Sequence, residues 1–135
     1  MELRLNPLEV KGYYVNLVES ISGQNVFDCY HCGKCTAGCP VADSMDIKPQ
    51  QVLRYLQLGK VERILNANTM WICAACITCT VRCPKGIDIA AIMEALRMIK
   101  LRENYDRIHP NRIPQDDLEE LPPIALVSAF RKLTP

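Results

Sequence analysis

The sequence predicts an all-α fold, and three observations support this prediction. Apolar residues recur at helical spacing in several segments of the chain, as they do in helices that bury one face. Segments with the alternating pattern of β-strands are nearly absent. The 33 residues from 40 to 72, which separate two groups of cysteines, also have a helical pattern.

The first predicted helix covers about residues 8–22 and ends near Gly23, because glycine commonly terminates helices. Its apolar face consists of Tyr14, Leu17, Val18 and Ile21. Pro49 suits the first turn of a second helix, which stops at Gly59. The apolar stripe of that helix is Val52, Leu53 and Leu56, and a short helix with Val61, Ile64 and Leu65 follows.

A longer helix is predicted after the second group of cysteines. Asp88 is its candidate N-cap, since an aspartate side chain can accept hydrogen bonds from the first backbone N–H groups of a helix. The apolar stripe behind this cap consists of Ile89, Ile92, Met93, Leu96 and Ile99. We expect this stripe to pack on the core of the domain.

The composition suits one globular domain with a tail. Of the 135 residues 49% are hydrophobic, and 16 basic residues nearly balance 15 acidic ones. This balance gives no electrostatic reason to expect nucleic acid or an anionic membrane surface as a partner. We predict a domain over residues 1–103 and a short, irregular, proline-containing tail over residues 104–135.

Eight cysteines form two copies of one motif. Both copies have the pattern C-x-x-C-x-x-C-x-x-x-C-P, and each cysteine of the second copy follows its counterpart by 44 residues. The cysteines are Cys29, Cys32, Cys35 and Cys39 in the first copy and Cys73, Cys76, Cys79 and Cys83 in the second. The repeat indicates an internal duplication with two pseudo-symmetric halves.

This pattern is typical of proteins that bind two cubane [4Fe–4S] clusters. Three closely spaced cysteines wrap one cluster, and each thiolate binds a different iron. In the bacterial two-cluster pattern, the fourth cysteine ligates the other cluster. We therefore predict one cluster on Cys29, Cys32, Cys35 and Cys83. The second predicted cluster is held by Cys73, Cys76, Cys79 and Cys39. Helical segments between the motifs favour an alpha-helical ferredoxin over the β-rich frame of small bacterial ferredoxins.

Two other uses of cysteine fit the pattern less well. Structural zinc sites usually draw on two separated C-x-x-C pairs, not on four cysteines within eleven residues. Disulfide frameworks belong mainly to secreted chains, and residues 1–7 show no apolar signal-peptide segment. We therefore expect reduced thiols and a cytoplasmic location.

The uncharged run of 18 residues between Arg63 and Arg82 has nearly the length of a membrane span. It contains two asparagines, three threonines and three motif cysteines. Because lipid would leave these polar groups poorly satisfied, we predict no spanning helix.

Several other residues in the motifs are candidates for tuning the clusters. Glycines allow backbone N–H groups to approach sulfur, and cations either offset the cluster charge or are simply solvated. The glycines are Gly33, Gly38 and Gly86, and the cations are Lys34, Arg82 and Lys85. For His31 we expect an outer position and no iron ligation, because four cysteines are already available.

The last 32 residues differ from the rest of the chain. Pro110, Pro114, Pro122 and Pro123 rule out one continuous helix. An apolar run over residues 124–130 follows them. Since exposed apolar patches usually mark interfaces, we expect this run to dock on another subunit, with its own domain as the alternative.

Three stretches carry a family resemblance. They are Gly23-Gln24-Asn25 with the first motif (residues 29–40), Trp71-Ile72-Cys73 at the second motif, and residues 126–132 of the tail. In these stretches the chain resembles the small, C-type iron–sulfur subunit of heterodisulfide reductase, an enzyme of methanogenesis, and its homologues in electron-bifurcating complexes.

The resemblance implies an electron relay. In that family the small subunit passes single electrons from a flavin-containing, iron–sulfur-rich subunit to a cysteine-rich subunit, which reduces the heterodisulfide of coenzymes M and B. The resemblance therefore implies these two larger subunits as partners. This chain has no G-x-G-x-x-G fingerprint, so we expect no catalytic residues and no active site of its own.

Other functions remain as alternatives. The chain would also suit a relay subunit of a glycerol-3-phosphate, lactate or sulfur-oxidising system. A succinate- or fumarate-type subunit would need cysteines for a further cluster, and none remain. A diffusible ferredoxin is less expected because such carriers are typically acidic. A zinc-stabilised interaction module would be colourless and redox-silent.

Overall fold

The computed structural model describes residues 6–103 and 112–131, and these ranges contain ten α-helices. No residue in the described ranges lies in a β-strand, so the predicted all-α class is confirmed. The chain divides into two compact units, Met1–Glu103 and Asn104–Pro135. All eight cysteines lie in the first unit.

The described part of the first unit contains eight α-helices. They are α1 (Pro7–Val10), α2 (Tyr13–Ser22), α3 (Lys34–Ala37), α4 (Pro49–Gln57), α5 (Val61–Leu65), α6 (Thr69–Ile72), α7 (Thr78–Arg82) and α8 (Ile89–Arg102). Two short 3₁₀ helices, Val26–Asp28 and Ala42–Ser44, flank the first motif. Most helices are therefore short, and their stability depends on packing more than on intrinsic propensity.

Helix α8 lies at the centre of this unit and packs on α2, α5, α6 and α7. Its cap is the predicted one, because the Asp88 carboxylate accepts a hydrogen bond from the Ala91 N–H at 3.0 Å. All five residues of its predicted apolar stripe are buried. They meet Val15 and Val18 of α2 in one continuous core.

The predicted start of the first helix was wrong. The segment forms two helices, α1 and α2, separated by Lys11 and Gly12. Gly12 has an extended backbone (φ −70°, ψ 174°) and donates a hydrogen bond to the Glu9 carbonyl, so the helix cannot continue through it. The predicted end is confirmed, since Gly23 caps α2 in a left-handed conformation.

The two stripes predicted between the motifs are buried, on α4 and α5. Gly59 joins these helices with φ +72°. A Cβ atom there would lie only 2.1 Å from the carbonyl oxygen of Glu9 in α1. Glycine is therefore required at this position both by backbone conformation and by the close approach of α1.

A buried threonine ties the chain after the first motif to the helix before the second. Thr69, at the start of α6, is fully buried. Its hydroxyl accepts from the Ile47 N–H at 2.8 Å and donates to the Ile47 carbonyl at 2.9 Å. Next to it, the Asp46 carboxylate accepts from the Asn68 N–H. These bonds fix the start of the second motif relative to the first half.

The second unit is more regular than the predicted irregular tail. Its described residues form α9 (Gln115–Glu120) and α10 (Pro123–Arg131). The prolines do prevent one continuous helix, but Pro123 occupies the first turn of α10, where proline loses no hydrogen bond. Ile124, Val127 and Phe130 of α10 are exposed. Pro110 and Lys132 lie outside the described residues.

No helix in the described ranges is long and apolar enough to cross a membrane. The uncharged run over residues 64–81 is divided among α5, α6, a cysteine-containing loop and α7. The prediction that this run forms no spanning helix is therefore confirmed.

Replacing Thr69 by valine tests the link between the two halves. Thr69→Val leaves the Ile47 N–H and carbonyl without buried partners, so we expect the free energy of unfolding to fall by about 2 kcal/mol. Thr69→Ser keeps the hydroxyl and should cost about 1 kcal/mol for one lost methyl group. Denaturant unfolding of the cluster-loaded protein under anoxic conditions measures both values. Wild-type stability of the valine variant would contradict the assigned role.

Candidate iron–sulfur centres

The two motifs have the same backbone conformation. Each motif loop leads into a short helix, and α3 and α7 begin 44 residues apart. Left-handed residues also occur at matching positions. His31 (φ 62°) corresponds to Ala75 (φ 52°), and Gly33 (φ 80°) corresponds to Ile77 (φ 63°). The internal duplication therefore extends from sequence to backbone geometry.

Ile77 shows how strongly the motif fixes this geometry. A β-branched residue with positive φ is a genuine outlier, and such conformations cost on the order of 1–3 kcal/mol. The first motif has glycine at the same position. The loop around Cys73, Cys76 and Cys79 thus keeps its shape against the local preference of its own sequence.

The structure brings Cys83 to the thiols of the first motif. Burial raises the pKa of the Cys29 thiol, and the nearby Cys83 and Cys32 thiolates raise it further. The pKa of the Cys35 thiol is also raised, mainly by burial and in part by Cys29. The thiols that interact in this way are the four ligands of the first predicted cluster: Cys29, Cys32, Cys35 and Cys83.

The structure also brings Cys39 to the second motif. A cavity in the first unit is lined by all four cysteines of the second predicted set, Cys39, Cys73, Cys76 and Cys79. The rest of its lining is almost entirely apolar: Val41, Met45, Pro49, Ala74, Ala75, Ile77, Ile89, Ala90 and Met93. Four thiols around an apolar cavity suit a [4Fe–4S] cluster, whose ligands are thiolates and whose potential depends on exclusion of water.

All eight cysteines lie in the described residues, and none forms a disulfide. Within the described residues, no group of three or more His, Cys, Asp or Glu side chains is arranged to hold a single metal ion. The eight free thiols match the number of ligands that two [4Fe–4S] clusters need.

Several cysteine sulfurs have hydrogen-bond partners close by. The His31 N–H donates to Cys29 Sγ and the Ile87 N–H to Cys83 Sγ, both at 3.4 Å. Cys76 Sγ lies 3.4 Å from the hydroxyl oxygen of Thr78. Hydrogen bonds to thiolate sulfur stabilise the negative charge and tune the reduction potential of a bound cluster.

The pKa shifts of the thiols bear on cluster loading. Burial raises the pKa of Cys79, as it does for Cys29 and Cys35. The pKa of the exposed Cys76 is lowered by hydrogen bonds with Thr78. Because cluster ligation requires thiolates, loading of the buried thiols releases protons and becomes less favourable as pH falls.

A glutamine that the sequence analysis did not single out anchors the first motif. The Gln57 side-chain N–H₂ donates to the carbonyls of Val26 at 2.8 Å and Cys29 at 3.0 Å. Its Oε1 lies 2.6 Å from Nε2 of His31. The His31 ring therefore has a hydrogen-bond partner within the protein.

An arginine anchors the second motif at the equivalent atoms. The Arg97 guanidinium donates to the carbonyls of Met70 and Cys73. These carbonyls lie 44 residues after those of Val26 and Cys29, which Gln57 holds. Neither anchor belongs to the cysteine motif, so motif spacing gives no signal for them. Both come from the helices that follow the motifs, α4 and α8.

Gly38 has a role that the sequence analysis did not identify. A Cβ atom on Gly38 would lie 2.4 Å from Cδ of Arg82. The two residues are 44 positions apart, so equivalent positions of the repeat meet where α3 packs on α7. Gly38 thus makes room for Arg82, which crosses the boundary between the halves. Gly33 and Gly86 have positive φ angles, as a tight turn requires.

Double cysteine variants test the crossed ligand sets. If Cys39 and Cys76 ligate the same cluster, Cys39→Ser with Cys76→Ser should remove about one cluster's worth of iron, because both changes damage one centre. Cys39→Ser with Cys32→Ser should damage both centres. Iron and sulfide analysis with EPR spectroscopy of reduced samples measures the difference. The opposite ranking of the two double variants would show that Cys39 belongs to the first motif's cluster.

Comparison with known proteins identifies the domain. Residues 28–88 match the family model of a 4Fe-4S dicluster domain. Three curated relatives are similar to this chain. The C-type iron–sulfur subunit of CoB–CoM heterodisulfide reductase from Methanopyrus kandleri is 35% identical over 77 residues, 57% of this chain and 40% of the relative. The C-type subunit of ferredoxin:CoB–CoM heterodisulfide reductase from Methanosarcina mazei is 31% identical over 98 residues, 73% of this chain and 60% of the relative.

The third relative is a C-type iron–sulfur subunit of CoB–CoM heterodisulfide reductase from Methanocaldococcus jannaschii. It is 38% identical over 71 residues, 53% of this chain and 38% of the relative. The chain therefore spans less than two thirds of the length of these curated relatives. Its residues 28–88 match a 4Fe-4S dicluster domain, it binds two [4Fe–4S] clusters, and it is similar to the C-type iron–sulfur subunits of heterodisulfide reductases.

Proposed function

We propose that the chain is an electron-transfer subunit that passes single electrons through its two clusters in a heterodisulfide-reductase-type complex. One observation carries this proposal. Each predicted ligand set contains one exposed cysteine, Cys32 in the first and Cys76 in the second, whereas Cys35 is buried and the others are half-buried. Each predicted ligand set thus reaches the surface at one cysteine, and its other cysteines are less exposed.

The chain's own residues hold and insulate the clusters. A bound [4Fe–4S] cluster supplies one-electron redox chemistry. The thiols of the two sets hold it, and apolar residues such as Met45, Ile89 and Met93 limit water around the second set. Gln57 and Arg97 fix the first cysteine of each motif. This arrangement suits a relay that takes up electrons at one end and releases them at the other.

The proposed donor is a partner that carries flavin and iron–sulfur clusters, and the proposed acceptor is a cysteine-rich partner that reduces a disulfide. The names of the relatives as heterodisulfide reductase subunits support this assignment. Disulfide reduction takes two electrons, which a relay delivers one at a time. The chain has no dinucleotide fingerprint, so flavin binding and disulfide chemistry are assigned to the partners.

The proposed site of attachment to a partner is α10 in the C-terminal unit. Ile124, Val127 and Phe130 recur at helical spacing and are 71%, 48% and 50% exposed. Exposed apolar stripes of this kind commonly dock on other subunits. Because the thiols must stay reduced to bind iron, we place the complex in the cytoplasm.

Anoxic purification of the tagged chain from its source organism tests the relay function. We expect a flavoprotein and a cysteine-rich protein to co-purify with heterodisulfide reductase activity. Recovery with a glycerol-3-phosphate, lactate or sulfur-oxidising enzyme would keep the two-cluster relay and replace the proposed partners.

Variants of α10 provide the matched control for docking. Val127→Asp with Phe130→Asp should abolish co-purification, because two charges would be buried in the interface. The iron content of the variant should stay at the wild-type value, since α10 carries no cysteine. Undiminished co-purification of the double variant would refute docking through α10.

A further inference from the structure

The two halves of the duplicated domain differ in charge at one pair of anchoring side chains. Gln57 holds the carbonyls of Val26 and Cys29, and Arg97 holds the equivalent carbonyls of Met70 and Cys73. Both side chains are partly buried.

Toward the backbone the two anchors act alike, since each donates to two carbonyls from the helix that follows its own motif. Gln57 has one further contact, because its Oε1 lies 2.6 Å from Nε2 of His31. Glutamine is neutral, whereas arginine stays protonated at all physiological pH values. Arg97 therefore adds one fixed positive charge beside the second motif.

Within residues 6–103 and 112–131, no carboxylate forms a salt bridge with Arg97. Its hydrogen-bond acceptors are two backbone carbonyls, and the salt bridges found in these ranges involve other cations: Lys48, Lys60 and Lys100. A cation of this kind favours the more negative, reduced state of a nearby cluster and so raises its reduction potential.

Other cations of the motifs are more strongly screened by water. Lys34, Arg82 and Lys85 are exposed, and Lys85 Nζ lies 5.9 Å from the ring centre of Tyr30. An effective dielectric constant of about 20 for a partly buried charge, against about 80 in water, makes its interaction roughly fourfold stronger at equal distance. Arg97 is therefore the cation expected to distinguish the two clusters most.

We propose that the Gln57/Arg97 difference sets the direction of the relay. The cluster of Cys73, Cys76, Cys79 and Cys39 has the higher reduction potential, and the cluster of Cys29, Cys32, Cys35 and Cys83 has the lower one. A single electron moves from the lower-potential cluster, which is oxidised, to the higher-potential cluster, which is reduced. Arg97 acts as a positioning and tuning residue and carries no electron. The inference rests on the proposed relay function.

The proposed direction of electron flow also predicts which partner meets each exposed cysteine. The reducing partner delivers electrons at the Cys32 side, and the oxidising partner takes them at the Cys76 side. Under the proposed function, the flavin-containing partner would meet the first end and the disulfide-reducing partner the second.

Substitutions that make the two halves alike test this proposal. Anoxic redox titrations of the full, cluster-loaded chain, followed by EPR, give the two potentials at fixed pH and ionic strength. Cys32→Ser and Cys76→Ser identify which signal belongs to which cluster. Arg97→Gln should lower the potential of the Cys76 cluster and leave the other nearly unchanged, and Arg97→Lys should restore most of the loss.

Gln57→Arg gives both halves an arginine anchor and should raise the reduction potential of the Cys32 cluster. This variant decides the proposal if Arg97→Gln fails to hold its cluster. Arg82→Gln is the control for an exposed cation and should shift either potential less than Arg97→Gln does.

Three results would overturn the proposal: a higher potential for the Cys32 cluster in the wild type, equal shifts of both clusters in Arg97→Gln, or no shift in either anchor variant. The titrations are made on the cluster-loaded chain without partner subunits. Failure of co-purification would therefore remove the proposed complex without changing the result of these titrations.

Discussion

The structure depends on how the two halves of a duplicated motif are held against each other. α3 packs on α7, and at their contact Gly38 makes room for the side chain of its counterpart, Arg82. This packing places Cys39 in the cavity of the second motif and Cys83 beside Cys29. With crossed ligation, neither cluster can be completed by one half alone. Cluster binding and packing of the halves would then stabilise each other, because binding to the folded state adds to folding free energy.

The surrounding helices hold the ends of the motif loops in place. α4 supplies Gln57 and α8 supplies Arg97 to equivalent carbonyls, and Thr69 joins the two halves through Ile47. Rigid support of this kind suits electron transfer, since ligands that hardly move add little reorganisation when charge changes. The same duplication also allows the halves to diverge in charge, and a nearby charge changes the reduction potential of a cluster.

The paired cysteine motifs, the helical class and most of the core can be predicted from the sequence. Each of them depends on the spacing of cysteines or of apolar residues within a short segment. The buried stripes of α4, α5 and α8 are of this kind. Other features do not follow. The extended backbone at Gly12 divides a segment whose apolar spacing predicts one helix, and the left-handed Ile77 contradicts its own preference. Gln57 and Arg97 act through backbone carbonyls far away in sequence, so no local pattern marks them.

EPR spectroscopy of the fully reduced protein tests the central claim most directly. Crossed ligation would hold the two clusters side by side, so their unpaired spins would interact and give a spectrum that differs from the sum of two isolated clusters. Samples reduced by one electron on average should show much less of this interaction. Two non-interacting signals at full reduction, each at wild-type iron content, would contradict the crossed, closely held pair of clusters.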